Sequence, residues 1–507
     1  MRHAAAAVLK QFLSSRHRRT SQIRTVMNYY QPNKERDYIP LADHALIGNL
    51  RTAALVSLDG SIESYCVPNF DSPSIFARIL DKDKGGHFSI TPTVPFSVKQ
   101  NYLPSSNVLQ TKFMNDQGVA SVTDFLPRPT SSTSVAIPNK PLLPWLIRRV
   151  ECIRGTIPLL MQCAPAFNYA RDTHTTELVL DTSIPPTHDT EPGTEPQKKI
   201  VFTSSSDFVI DLRYIAESTG EAASVPVVEL GTLDLTSKGH KGLAAYASLL
   251  LTEGQAVTFV LRTPPDEKAI VVSPSNVDTT PKIRPLGGPV RSTQDPFLTK
   301  ELLHSLLSIT NKYWYDWIRQ STYTGSWKEA VHRSALALKL LIFEPTGAVV
   351  ASPTFSLPEF IGGTRTIASW IRDSSFTLYA LIRLGFTQEA NGTPSHLIPH
   401  NLAKLNNTPS VHGVHLRAPA QQEPRRQSAN HVYHPWCVPP AVSVSVPVSC
   451  ALLTKNAGGK DLEEIELTHL DGHKGSKPVR IGNGAADHIQ LFGKPLVSRF
   501  LSRFKVG

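Results

Sequence analysis

Trp370, Arg372 and Asp373 stand together in GGTRTIASWIRDSSFTLYALIRLGF (Gly362–Phe386), at the head of an apolar helical pattern. An indole offers a flat apolar face, and a guanidinium beside a carboxylate makes strong, directional hydrogen bonds. The combination suits a sugar ring: the indole covers the C–H face and the charged pair holds vicinal hydroxyls. An ordinary helix start accounts for the same residues, with Asp373 at the positive end of the helix dipole and Trp370 in the core. Both readings stand at this point.

The surrounding pattern shows what must position these residues. Asp295-Pro296 reads as an N-cap followed by proline at the first helical position. Leu302, Leu306, Ile309, Tyr313 and Trp317 then follow at helical spacing. A second helix is expected from Trp327 to about Ile342, with Val331, Leu338 and Leu341 on one face, and a third after Arg372. Upstream, from about 40 to 263, the chain reads as short strands. Phe208, Ile210, Leu212 and Tyr214 alternate, and AVTFVLRT (256–263) and ASVTDFLP (120–127) are β-prone runs between turn residues. Such a series suggests a large β-sandwich. The polar stretch Asp172–Lys199 reads as a surface loop, and 264–296, with seven prolines and Gly287-Gly288, as an interdomain linker.

Composition narrows the classes. At 507 residues, with 40% apolar and 19% charged residues, the chain has the make-up of a globular protein of several domains. Six of its ten excess positive charges (Arg2, Lys10, Arg16, Arg18, Arg19, Arg24) lie in residues 1–26, so no nucleic-acid footprint is expected. That acid-free, Ser-containing segment reads as a basic extension, with a mitochondrial address as the alternative to a cytoplasmic location. Cys66, Cys152, Cys163, Cys437 and Cys450 are odd in number and scattered, which fits a reducing compartment. Pro435–Thr454 is long and uncharged, but its four prolines speak against a membrane span. Residues 391–457 hold one acidic residue, Glu423, nine prolines and six histidines: His396, His400, His412, His415, His431 and His434. With no helix to present them and no thiol or carboxylate placed to complete a set, no metal is expected there. The segment reads as low-order sequence.

Four blocks carry a family resemblance: Ala42–Ile90, GSWKEAVHRSALALKLLIFEPTGAVVASPTFSLPEFIGG (325–363), WIRDSSFTLYALIRLGF (370–386) and LTHLDGHKGSKPVRIGNGAADHIQL (467–491). In this order they resemble glycoside hydrolase family 15, the glucoamylase- and trehalase-like enzymes. The resemblance implies a multi-domain α+β chain, an N-terminal antiparallel β-sandwich followed by an incomplete all-α (α/α)6 barrel. It divides the chain into a basic extension (1–38), the sandwich (39–263), a linker (264–296), the first barrel helices (297–390), the Pro/His-rich insert (391–457), a pocket-lining block (458–491) and an aberrant tail (492–507). It implies inverting hydrolysis of α-glucosidic bonds, in trehalose or malto-oligosaccharide and starch-like glucans, with no cofactor.

On the residues that match, Trp370, Arg372 and Asp373 hold the non-reducing glucose, Glu359 lies on the loop leading to them, and His473, Lys477, Arg480 and Asn483 line the sugar pocket. Thr364–Ser369 departs from the aromatic and acidic run that relatives carry at that place. An inverting glycosidase needs two carboxyl groups about 6.5–9.5 Å apart. In this family both follow the 467–491 block, so the general acid and base are expected to be absent here and turnover weak. A non-catalytic glucan- or sugar-binding protein is the alternative. The barrel helices present are expected to leave Leu336, Leu340, Leu378 and Leu381 uncovered, faces that invite aggregation.

Overall fold

The computed structural model describes residues 30–31, 36–129, 142–184, 197–219, 224–265, 295–345, 347–350, 352, 357, 371–387, 389, 443–447, 462–483 and 489–493. Strands dominate. The first eight are β1 (His44–Gly48), β2 (Ala53–Ser57), β3 (Ser61–Cys66), β4 (Ser74–Phe76), β5 (His87–Pro92), β6 (Ser97–Tyr102), β7 (Leu109–Met114) and β8 (Gly118–Phe125). After the long β9 (Trp145–Ala164) come β10 (His174–Leu180), β11 (Lys198–Ser204), β12 (Val209–Ser218), β13 (Gly231–Leu233), β14 (Ala244–Thr252) and β15 (Gln255–Arg262). All fifteen join in one antiparallel sheet.

Strand β9 explains how one sheet encloses a core. Its first half pairs with β8 and β15, and its second half with β5 and β14. Between the halves the β8–β9 register shifts, and Gly155 adopts φ +70. A Cβ there would lie 2.2 Å from the Gln117 carbonyl oxygen, so only glycine turns this corner without a clash. The sheet folds back on itself at the bend. Ile47, Val56 and Ile90 from one half share a buried core with Phe113, Val122, Leu212 and Phe259 from the other. The sandwich expected as two layers is thus a single sheet bent through a shared strand.

The predicted strands at 120–127, 208–214 and 256–263 correspond to β8, β12 and β15. In β12 the alternation is real but incomplete as a guide to burial. Ile210 and Leu212 enter the core, while Asp211 and Arg213 on the other face are also buried. The stretch read as a loop at 172–199 includes β10, an edge strand paired along its length with β11.

The expected (α/α)6 barrel is not present among the described residues. Beyond single turns they hold three helices: α1 (Lys300–Ile318), α2 (Lys328–Leu340) and α3 (Ile371–Arg383). Helix α1 is capped by the Thr299 side chain, which accepts from the Leu302 amide at 3.2 Å, whereas Asp295 binds Arg262 instead of capping. The block from 458 forms a hairpin of two short strands (Leu462–Glu466 and Arg480–Asn483).

The four leucines expected to be uncovered are buried, although Trp327, Phe376 and Tyr379 remain exposed. Leu336, Leu340 and Leu381 are buried in one cluster with Leu50, Trp314, Trp317 and Phe386, and Leu378 is fully buried. The sheet supplies part of this cover. Asn107 donates to the Leu336 carbonyl at 3.3 Å, Arg333 donates to the Ser106 carbonyl at 2.7 Å, and the Glu344 amide binds the Leu50 carbonyl at 2.9 Å. For Leu336, Leu340, Leu378 and Leu381 the expectation of exposure is corrected by this docking.

Arg128 fastens the junction. Its guanidinium donates to both carboxylate oxygens of Glu344, at 2.9 and 2.6 Å, and to the Asn49 carbonyl at 2.7 Å, while lying 4.5 Å over the Tyr313 ring. The Glu344 side chain is 45% exposed, so the pair is partly screened. A double-mutant cycle of Arg128→Ala and Glu344→Ala, read by thermal unfolding, is expected to show coupling of about 1 kcal/mol. Additive single effects would remove the latch.

Candidate functional site

Arg372 and Asp373 lie in the first turn of α3, which the buried side chains of Leu378 and Leu381 hold against α1 and α2. Phe386, just past the helix, stacks on Trp317 with centroids 4.1 Å apart and planes 12° from parallel. The Trp317 indole donates to Glu389 at 2.5 Å, and Lys339 pairs with the same carboxylate at 3.1 Å. Burial raises the Glu389 carboxyl, but Lys339 and the indole N–H outweigh it and keep the group below its ordinary range. The far end of α3 is therefore rigidly anchored, and its first turn is presented from a fixed base. Trp370 and Glu359 lie outside the described residues, and for Arg372 and Asp373 the structure describes the backbone.

Leu357, two residues before Glu359, is buried in one apolar cluster with Cys66, Ala77, Ile79, Leu467, Leu470 and Val479. The chain approaching Glu359 and the 467–480 block thus converge on the same side of the sheet domain. Polar contacts dock the block there. The Asp471 amide donates to Asp81 at 3.2 Å, Lys84 donates to the His469 carbonyl at 2.9 Å, and the Tyr38 hydroxyl donates to the Gly472 carbonyl at 3.3 Å.

The expected pocket residues of this block divide by contact. His473 is half-buried, with Nδ1 3.0 Å from the Ile79 carbonyl oxygen and its ring edge-on to Tyr38. Burial holds its pKa below the ordinary value, so it sits as a neutral docking residue. Lys477 is exposed and pairs with exposed Asp471 at 3.3 Å. Arg480 reaches across the hairpin to Glu464 at 2.7 Å and Glu466 at 3.5 Å. Asn483 ends the hairpin opposite Leu462. The structure gives His473 and Arg480 contacts within the protein, while the side chains of Arg372, Asp373 and Asn483 lie outside the described residues.

Sequence reasoning missed a buried charge cluster beneath the block. Arg36 donates to Asp59 Oδ2 at 2.6 Å and also binds Glu63, whose other oxygen lies 3.5 Å from His44. Burial raises both carboxyls, yet Arg36 outweighs it and holds them ionised. Arg78 is beside them, lowered by burial and by Arg36 to about 10. The available signal was Glu63 itself, a charge inside SIESYC, a strand buried at every residue. Among the described residues no group of three or more His, Cys, Asp or Glu is placed to hold a metal, and no helix is long and apolar enough to cross a membrane.

Residues 34–174 match the family described as trehalase-like, N-terminal, and residues 325–408 match glycosyl hydrolases family 15. A trehalase from Mycolicibacterium smegmatis is 30% identical over 491 residues, covering 93% of this chain and 58% of that protein. The two matched segments are those of a trehalase-like, family 15 glycoside hydrolase. A trehalase from Thermoplasma volcanium is 28% identical over 90% of the chain and 55% of the relative. Trehalase 2 from Sulfolobus acidocaldarius is 27% identical over 89% and 58%. The chain thus spans a little over half the length of these relatives. The first match contains the buried cluster of Arg36, Asp59 and Glu63, and the second contains α2, α3 and the Trp370–Asp373 motif.

Proposed function

We propose that this protein acts on α-glucosidic bonds, with trehalose as its substrate. The observation that carries the reading is a coincidence of position. Trp370, Arg372 and Asp373, chosen on sugar chemistry alone, lie inside the family 15 match, and trehalases align along about nine-tenths of the chain. In this reading the indole of Trp370 covers the ring of the terminal glucose, and Arg372 and Asp373 bind its hydroxyls from the first turn of a helix anchored at its far end. Glu359 comes from the segment that Leu357 pins to the sheet domain. The buried, unpaired thiols of Cys66, Cys152 and Cys163 support a reducing, cytoplasmic setting.

Two measurements on the 507-residue chain test the reading: trehalose affinity by calorimetry, and glucose release from trehalose, maltose and starch. A hydrogen bond to a charged group contributes about 1.5–3 kcal/mol, so Asp373→Asn is expected to weaken trehalose binding by about 10–100-fold. Trp370→Ala is expected to act in the same direction. Unchanged affinity in both variants overturns the sugar-cradle reading. Release of glucose from maltose and starch but not trehalose would replace the substrate, and binding without release would make the chain a sugar-binding protein.

A further inference from the structure

Strand β9 runs into a turn, Phe167–Ala170, wound in the opposite sense to an ordinary helix. Asn168, Tyr169 and Ala170 have φ of 52, 60 and 60°, with ψ of 50 and 41° at the first two. L-residues enter this left-handed region against a steric penalty, and those other than glycine do so one at a time, asparagine most readily. Three consecutive residues without a glycine form a strained turn that the rest of the molecule has to hold in place.

Asn168 supplies the clamp. Its side-chain amide donates to Asp172 at 2.8 Å, its side-chain oxygen accepts from Arg171 at 2.7 Å, and its backbone carbonyl accepts from the same guanidinium at 3.1 Å. Asp172 also accepts from the Ser204 hydroxyl at 3.1 Å, and Lys241 donates to the Arg171 carbonyl at 2.7 Å. Phe167, at the head of the turn, is buried edge-on to His174 and Phe208.

The turn carries two segments that are far apart in the chain. Ala166 and Ala170 are buried in the cluster that contains Leu357, Leu467 and Leu470, and Tyr169 packs against it. The Tyr169 carbonyl accepts from His469 Nε2 at 2.8 Å, and Lys84 donates to the His469 carbonyl at 2.9 Å. A right-handed turn at these residues would send the Tyr169 carbonyl and the Ala170 methyl in other directions. Leu357 lies two residues before Glu359, and Leu467 opens the block that holds His473 and Lys477. We propose that the left-handed turn is a positioning element of the sugar site, in which Asn168 locks the backbone and Tyr169 fixes the 467–480 block beside the segment leading to Glu359. The proposal rests on the α-glucoside reading and adds to it residues of the sheet domain that touch no sugar.

The test uses the full 507-residue chain with Asn168→Ala, Asn168→Gly and His469→Ala. Two quantities are read: hydrogen exchange at the Leu467, Leu470 and Asp471 amides, which bond to Val479, Leu467 and Asp81, and trehalose affinity by calorimetry. Alanine at 168 loses the clamp and keeps the steric penalty, so exchange is expected to rise and trehalose affinity to fall, each about tenfold. Glycine also loses the clamp but enters the left-handed region freely, and is expected to recover most of both. His469→Ala leaves the turn intact, removes the bond to the Tyr169 carbonyl, and is expected to act in the same direction as Asn168→Ala. Circular dichroism shows which variants fold, and unchanged exchange and affinity in His469→Ala overturn the proposal even where Asn168→Ala does not fold. Faster exchange with unchanged affinity also overturns it, because the turn would then support structure alone. Glycine no better than alanine does the same, because handedness would not matter. Trehalose binding weakened by Asp373→Asn but not by Asn168→Ala removes the role of the turn and leaves the α-glucoside reading standing. No trehalose binding by the parent chain removes both.

Discussion

Arg148→Met is expected to destabilise the sheet domain by about 3–5 kcal/mol, visible as a large drop in the thermal midpoint followed by circular dichroism. Arg148 and Asp124 face each other across β8 and β9, both fully buried, with bonds of 2.7 and 3.1 Å. The same guanidinium donates to the Gly60 carbonyl at 2.8 Å and to the Phe88 carbonyl, on the other half of the bent sheet. One side chain thus joins the two layers from inside. Methionine fills much of the volume but leaves the Asp124 carboxylate buried with no counter-charge and two carbonyls without a donor. The cost arises mainly from those stranded groups, which predicts a partial rescue. Arg148→Met combined with Asp124→Leu is expected to recover a substantial part of the loss, because a matched apolar pair removes the buried charge. A single variant within about 1 kcal/mol of the parent would refute the account.

Acid is expected to loosen the same domain between about pH 6.5 and 4. His87 and His240 are both buried, with ring centroids 6.4 Å apart. Burial lowers both, and Arg78 lowers both further. His87 also faces Arg36 and accepts help from Gln162. His240 faces His174 and Lys238, with a bond to the Asp83 backbone in its favour. In the unfolded chain a histidine takes up its proton near 6.5, whereas folded His240 resists until about 4. Below 6.5 the unfolded state therefore binds more protons than the folded state, and stability falls as pH falls. It is fully present above 6.5. For His240 alone the loss reaches about 3 kcal/mol near pH 4, and His87 adds in the same direction. His240→Phe is expected to flatten the dependence of the thermal midpoint on pH over this window. A profile identical to that of the parent would show that the histidine contributes nothing to it.

Individual strands and helices were legible because they follow local rules, whereas the expected (α/α)6 barrel was not borne out among the described residues. The apolar alternation of β12 and β15 and the helical spacing from Leu302 to Trp317 depend on which face of an element meets a core. The motif at Trp370, Arg372 and Asp373 is a proposal of a different kind, resting on residue types that sit side by side in the sequence. Asp295 shows the limit. Its position before a proline made it an apparent cap, but Arg262, distant in sequence, takes its carboxylate, and Thr299 caps the helix instead.

By itself, the amino-acid sequence determined the strand-rich first half and three helices. Only the tertiary structure decided how they meet. It bent one sheet through Gly155, buried Leu336 and Leu340 against the sheet domain, and turned His473 and Arg480 toward contacts within the protein. The physical reason is that periodicity records whether a residue is buried, while the identity of what buries it depends on segments far along the chain. A buried charge such as Glu63 or Arg148 is the extreme case, because its partner comes from another strand or loop and its type alone reads as surface.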